Sequence, residues 1–310
     1  MRAVAVVGPT ATGKSALALA LAEAFGGEIV ACDSTAVYRG IDIGTDKLAP
    51  EEQRGIPHHL VDLIEPRDTY SAARYATDAA AAIRDIHGRA KLPILAGGTG
   101  LYYRALVRGM FPGPECDPAL RARLERVADR RGVEALHRWL VRVDSDSALR
   151  ILPRDRKRQI RALEVYLLTG RPLTEHFAET RSPIAGVQLL TIGITLPRDL
   201  LRQRVAKRVD AQFDRGVVAE VQRLLDGGLS PAAHALSGLV YRQVLELLQG
   251  VRGDAETREL VVRENIRYAK RQLIWFRKEA DVHWLAGPGE APDVQEQAAG
   301  LVREFLERRP

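Results

Sequence analysis

The sequence predicts an α/β protein: a parallel sheet flanked by helices, with an all-helical insertion domain. Three observations predict it. Short apolar, β-branched runs, Ala3–Val7 the first of them, end at glycines or acids in the manner of buried parallel strands. That first run passes through a glycine-bounded loop into Ser15–Phe25, a stretch of Ala and Leu, both strong helix formers. From about Pro118 to Thr169 only helical patterns occur, and a strand pattern returns in Val187–Thr195. The chain therefore divides into 1–114, the first part of the core; 115–185, the helical insertion; and 186–310, which completes the core and adds basic C-terminal helices.

The loop after the first strand reads Gly8-Pro9-Thr10-Ala11-Thr12-Gly13-Lys14-Ser15, a phosphate loop without mismatch, and makes the predicted fold P-loop NTPase-like. Glycines let successive backbone N–H groups converge on phosphate oxygens, and the helix N-terminus adds partial positive charge. Lys14 supplies a full charge, and Ser15 a hydroxyl suited to Mg²⁺, the one cofactor expected. A chance glycine turn is the alternative; strand, loop and helix in register weigh against it. The expected ligand is a diphosphate or polyphosphate.

Composition bounds the rest. With 310 residues, 46% hydrophobic and 28% charged, the chain suits a soluble protein of about two domains. Apolar runs such as Val187–Leu196 fall far short of a membrane span, and no leader pattern precedes the first strand. Cys32 and Cys116 build no disulfide framework. A cytoplasmic monomer without membrane contact is expected. The balance of 46 Lys and Arg against 40 Asp and Glu, net +6, is a mild sign of a polyanionic partner.

Taken in order, Gly27–Cys32 is a second strand ending at Asp33-Ser34, which puts a carboxylate on the ligand-binding edge of the sheet. A helix-cap or turn role for Asp33 stands beside that one. Thr35–Thr45 has glycines and no helical period, hence a loop. His58-His59 lacks partners at ligand spacing and reads as structural. Ser71–Arg84 is a helix capped by Ser71, and Leu92–Gly100 a strand running into a glycine turn where Thr99 offers a hydroxyl. Gly109–Pro114 is a Pro/Gly linker.

Beyond it, Arg150, Arg154, Arg156, Lys157, Arg158 and Arg161 are opposed only by Asp155, a pattern for phosphate-backbone contact rather than a mixed-charge solvated face. Leu200–Leu225 is helical and carries Arg202, Arg204, Lys207, Arg208 and Arg215. In Val262–Lys278, a buried stripe of Val262, Ile266, Ala269, Leu273 and Phe276 adjoins a face of Arg263, Arg267, Lys270, Arg271 and Lys278. Tyr268 and Trp275 serve either base stacking or core packing. After Leu285 a linker and a short final helix are expected.

Seven segments in order, Gly8–Ser15, Asp33-Ser34, Val37–Thr45, Pro57–Asp62, Gly97–Tyr102, Arg161–Glu164 with Thr169-Gly170, and Ala269–Arg277, resemble the bacterial tRNA dimethylallyltransferases, or tRNA isopentenyltransferases, across about residues 3–285. The resemblance implies transfer of a dimethylallyl group from dimethylallyl diphosphate to N6 of the adenosine just 3′ of the tRNA anticodon, with release of diphosphate. It implies that residues 8–15 and Arg208 hold the diphosphate, with Mg²⁺ on Ser15. Asp33 matches the general base, with Thr99 and Lys14 beside it in catalysis. Contacts to the tRNA anticodon stem-loop are implied for Asp33, Ser34, Thr35, Ala36, Thr99, Arg121, Lys157, Arg158, Gln159, Ile160, Arg161, Lys270 and Arg271.

The pattern is broken where Ala36 replaces Gln, Arg154 replaces Asn, Val240 replaces Gly, and Asn265-Ile266 replace Thr-Arg. Ala36 removes one base contact; the others are expected to alter the tRNA-facing surface. Without the resemblance, the residues also allow a P-loop kinase or NTPase, a transferase acting on free adenylate, or a tRNA binder without catalysis. No apolar strand ends in Asp-Glu or Asp-Asp, as a helicase-like NTPase would require.

Overall fold

Arg2–Val7 forms β1, and from Ala3 onward its side chains are 1% exposed or less, as an interior strand covered on both faces must be. The structure is a computed structural model describing residues 1–111 and 113–308; Pro112, in the Pro/Gly stretch, and Arg309 and Pro310 lie outside the described residues. The other strands are β2 (Gly27–Cys32), β3 (His58–His59), β4 (Leu92–Gly97), β5 (Gln188–Thr195) and β6 (Val282–Ala286). They form one parallel sheet in the order β3-β2-β4-β1-β5-β6.

Register places the functional edge. Cys32 of β2 and Val7 of β1 both pair with Gly97 of β4. The next residues along each strand, Gly8, Asp33 and Gly98, therefore leave the sheet at the same level. The strand order reverses here, with β2 and β3 on one side of β1 and β5 and β6 on the other, which is where open α/β sheets bind ligands.

Helices α1 (Lys14–Phe25), α2 (Ala72–Gly88) and α3 (Gly100–Arg108) belong to the first half of the chain. Ser71 caps α2 by accepting the Arg74 N–H, as expected. The insertion holds α4 (Pro118–Arg131), α5 (Val133–Val143), α6 (Ser145–Arg150), α7 (Arg156–Thr169) and α8 (Leu173–Ala178). Then follow α9 (Arg198–Asp214), α10 (Val217–Asp226), α11 (Tyr241–Leu248), α12 (Asp254–Phe276) and α13 (Pro292–Glu307). No helix among the described residues is long and apolar enough to cross a membrane.

The chain forms two units, Met1–Leu106 with the segment from Ile184 onward, and Val107–Pro183. The division precedes the Pro/Gly stretch, because that stretch packs on the insertion. Phe111 stacks on His176 at 4.0 Å, and Arg161 donates to the Pro114 carbonyl at 3.1 Å. The insertion has its own core of Leu124, Leu136, Leu140, Ile160 and Leu163. In the larger unit Val4, Val6, Ile94 and Ile192 pack with Leu17 and Leu21 of α1 and with Val294, Ala298 and Val302 of α13.

Three expectations are corrected. Leu200–Leu225 is two helices, broken at Gly216, whose φ of +90° a side chain would resist. The linker after Leu285 is present, but the helix that follows it is not short: it has 16 residues and completes the core, and β6, which was not expected, precedes the linker. In α12, Val261, Ala269, Gln272 and Phe276 are buried while Val262, Ile266 and Leu273 are only half-buried. The helix is rotated because a glutamine, not an apolar residue, occupies the inner face.

Candidate active site

A cleft of about 920 Å³ opens at the level strand ends, within the larger unit, and is lined by Lys14, Ser15, Asp33, Ala36, Arg208 and Tyr268 among others. The phosphate loop forms one wall. Gly13 stands at φ +88° ahead of α1, and a Cβ there would lie 2.7 Å from the Gly289 backbone nitrogen, so only glycine fits. Thr12 Oγ1 donates to the Pro9 carbonyl at 2.9 Å and Lys14 Nζ to the same oxygen at 2.5 Å. Burial, and then the neighbouring Arg208, lower the Lys14 ammonium to about 7. Ser15 is exposed to the cleft.

Helix α9 supplies further positive charge. Arg208 donates to Thr10 Oγ1 at 2.8 Å and pairs with Asp46 at 3.0 Å. One turn earlier Arg204 donates to the Ala11 carbonyl at 2.7 Å and pairs with Glu290. Lys207 lines the same cleft. These spacings of three and four residues put all three cations on one helix face.

Asp33 is both things its position allowed. Its Oδ1 accepts from the Thr35 N–H at 2.8 Å and the Thr35 hydroxyl at 2.6 Å, closing an Asx turn, while the residue lines the cleft. Thr99 ties the two neighbouring strand ends together: its N–H donates to the Cys32 carbonyl and its Oγ1 accepts from the Ser34 N–H, both at 3.1 Å. Tyr268 faces Thr99 and Gln272, and burial, then the Asp33 charge, push its hydroxyl up to about 12. Core packing is the role of Trp275, which lies under Arg104 at 4.4 Å.

The loop after Asp33 is anchored by buried groups that sequence inspection missed. Glu220, 3% exposed, accepts from the Asp42 and Ile43 N–H groups at 3.1 and 2.9 Å and from the Tyr241 hydroxyl at 2.6 Å. Tyr241 accepts in turn from the Gly44 N–H at 2.9 Å. Of the histidine pair, His58 donates to the Ile56 carbonyl and His59 meets Glu28, both contacts within the fold.

Away from the cleft, the basic residues separate into two kinds. In the insertion, Arg121 grips Glu164 with two bonds of 2.9 Å and Arg161 meets it at 2.6 Å; Glu164 itself is fully buried. Burial would raise that carboxyl, but the hydrogen bonds from both arginines hold it below its usual range. Gln159 is buried and donates to the Leu152 and Pro153 carbonyls, and Ile160 is 4% exposed, so neither presents a side chain to RNA. This corrects the basic run: Arg150, Arg154, Lys157 and Arg158 face solvent, whereas 159–161 hold the unit together. On α12, Arg263, Arg267, Lys270 and Arg271 are all exposed, as is Lys278 just beyond its end. Arg271 lies over the Tyr268 ring at 5.7 Å, beside the cleft.

A family model described as IPP transferase matches residues 36–279, and one described as isopentenyl transferase matches residues 1–63. The chain belongs to the IPP transferase family. It is 47% identical to a tRNA dimethylallyltransferase of Thermomicrobium roseum, over 97% of this chain and 92% of that one. It is 46% identical to that of Geobacter sulfurreducens, over 94% of each. A crystal structure of the tRNA isopentenylpyrophosphate transferase of Bacillus halodurans superposes with a TM-score of 0.71 at 36% identity, covering 99% of this chain and 98% of that one. A eukaryotic dimethylallyltransferase captured acting on tRNA superposes at 0.83 and 28% identity, covering all of this chain and 80% of that one.

Within this IPP transferase, three of the four departures from the resemblance pattern border the cleft: Ala36, Val240 and Asn265. Val240 and Asn265, expected to alter the tRNA-facing surface, thus stand at the cleft itself. Val240 is buried at φ +73°, a conformation that costs a β-branched residue on the order of 1–3 kcal/mol. Gln272, inside the Ala269–Arg277 segment but given no role from sequence, and Glu290, in the expected linker, also join the wall.

Proposed function

We propose that the protein transfers the dimethylallyl group of dimethylallyl diphosphate to N6 of the adenosine 3′-adjacent to the anticodon of tRNA, releasing diphosphate. One observation carries the reading: the phosphate loop, Asp33 and the Gly97-Gly98 turn before Thr99 leave three adjacent strands at one level, and all three open into one cleft. Its volume suits a flipped base together with a short prenyl diphosphate.

In this reading the N–H groups of residues 8–15, with Lys14 and Arg208, hold the donor's diphosphate. N6 attacks the allylic carbon, the C–O bond breaks with its electron pair leaving on diphosphate, and the N6 proton passes to Asp33 Oδ2. Oδ1 stays in the Asx turn, which fixes the direction of the other oxygen. Thr99 Oγ1 orients the amine. Mg²⁺ fits the wall: the exposed Ser15 hydroxyl, on the cleft beside Lys14, would hold it. When bound, it neutralises charge developing on the leaving group. A tRNA substrate supports a cytoplasmic location.

The exposed cations are assigned to tRNA phosphates. Replacing Lys157 and Arg158 by Ala lowers the salt dependence of tRNA binding by about 1.5 units of slope. Arg161→Ala instead loosens the insertion by stripping a partner from buried Glu164. An unchanged slope in the Lys157/Arg158 variant removes that face from the interface.

The deciding experiment combines the protein, Mg²⁺, labelled dimethylallyl diphosphate and tRNA lacking the modification, with AMP and ATP in parallel. Label appearing in tRNA as N6-dimethylallyladenosine supports the proposal. Label in AMP moves the activity to free nucleotides, and ATP hydrolysis without transfer makes the phosphate loop that of a kinase or NTPase.

A further inference from the structure

Gln272 sits on the inner face of α12, 7% exposed, with both halves of its amide used across the cleft floor. Its Oε1 accepts from the Thr10 N–H of the phosphate loop at 2.8 Å. Its Nε2 donates to the Gly98 carbonyl at the end of β4 at 2.9 Å. A Cβ on Gly98 would come within 2.3 Å of that nitrogen, so the glycine turn is shaped to admit the amide. Thr10 is also the residue whose hydroxyl receives Arg208, and Gly98 is the immediate neighbour of Thr99. One turn before Gln272 on the same helix, Tyr268 faces Thr99.

We infer that Gln272 is a positioning residue that sets the spacing between the diphosphate cradle and the acceptor end of the cleft. The inference rests on the transferase reading. Donor and acceptor bind different strand ends, β1 and β2–β4, and transfer needs the amine in line with the breaking C–O bond. A displacement of about 1 Å between reacting groups costs about a hundredfold in rate even when each substrate still binds. A neutral amide carries its acceptor and its donor on separate atoms, so it can span two loops without importing charge beside the phosphates.

The test uses the full-length protein and three variants, after thermal unfolding has shown each to be folded. Gln272→Leu keeps the volume and removes both bonds. It is expected to lower kcat about a hundredfold while inorganic diphosphate and tRNA each bind within about threefold of wild type. Gln272→Glu supplies the distinguishing signature. Only a protonated carboxyl both accepts from Thr10 and donates to Gly98, so the activity of this variant, as a ratio to wild type, rises as pH falls. Gln272→Asn, too short to span, behaves as Leu. Unchanged kcat in Gln272→Leu, or a Glu variant whose ratio to wild type is flat with pH, overturns the inference. Wild type that binds both ligands but transfers no prenyl group sinks the transferase reading instead, and the two failures are told apart by that control.

Discussion

Asp33→Asn slows prenyl transfer by about a hundredfold or more while tRNA affinity stays within about threefold. Asparagine is the informative substitution because Asp33 has two duties. Its Oδ1 closes the turn to Thr35, and an amide oxygen accepts those bonds as a carboxylate does. Asp33→Ala would loosen the turn together with the chemistry and confuse the two. With Asn the turn stays, the negative charge goes, and no oxygen remains that can take up the N6 proton. An exocyclic adenine amine is a weak nucleophile, so the loss falls on kcat. Single-turnover transfer with saturating tRNA reads it directly, and turnover near wild type would remove Asp33 from proton transfer.

Lys14→Met weakens donor binding about a hundredfold at pH 6, and by progressively less above neutrality. The Lys14 ammonium loses its proton at about 7 in the ligand-free protein, because burial and Arg208 both disfavour the charge. A bound diphosphate reverses that preference. Below pH 7 the proton is already present, so the advantage of wild type over Lys14→Met is constant. Above pH 7 it must be taken up on binding, and the advantage shrinks about tenfold per pH unit. Taking the ratio of the two proteins cancels the titration of the diphosphate itself, and calorimetry with inorganic diphosphate measures both the ratio and the proton uptake. The same shift acts on folding with a defined sign. Between about 7 and the ordinary 10.5, the unfolded chain binds the proton and the native protein does not, so stability rises with pH in that window. Lys14→Met therefore unfolds at a higher temperature than wild type at pH 6, with the gap closing toward pH 10.5. A fixed ratio of affinities from pH 6 to 9 would contradict the low Lys14 pKa.

What could be read from the residues was what neighbouring residues specify among themselves. Strand, phosphate loop and helix lie within Arg2–Phe25, and each dictates the next. Asp33 and Thr99 were legible because parallel strands deliver their C-terminal residues to one edge. Other parts of the site depend on distant partners. Gln272 looks like an interruption in an apolar stripe until Thr10, 262 positions away, is placed against it. Glu290 follows β6, an edge strand of mixed composition whose burial alternates too weakly to announce itself. In the insertion, counting charges concealed the helical period: α7 turns Gln159, Ile160 and Glu164 inward and leaves Lys157 and Arg158 outside.

The strap over the phosphate loop has a consequence for how the protein is made. Gly289 donates to the Thr12 carbonyl, and β5, which flanks β1, is itself flanked by β6. Residues 8–15 are thus made long before the segments that wall them, β5 and the Gly289-Glu290 turn. A nascent chain stalled before Val282 holds β1 with one edge of its sheet unfinished, and the anion site without the wall formed by Gly289 and Glu290. Such a chain should rely on chaperone protection of its exposed strands for most of its synthesis.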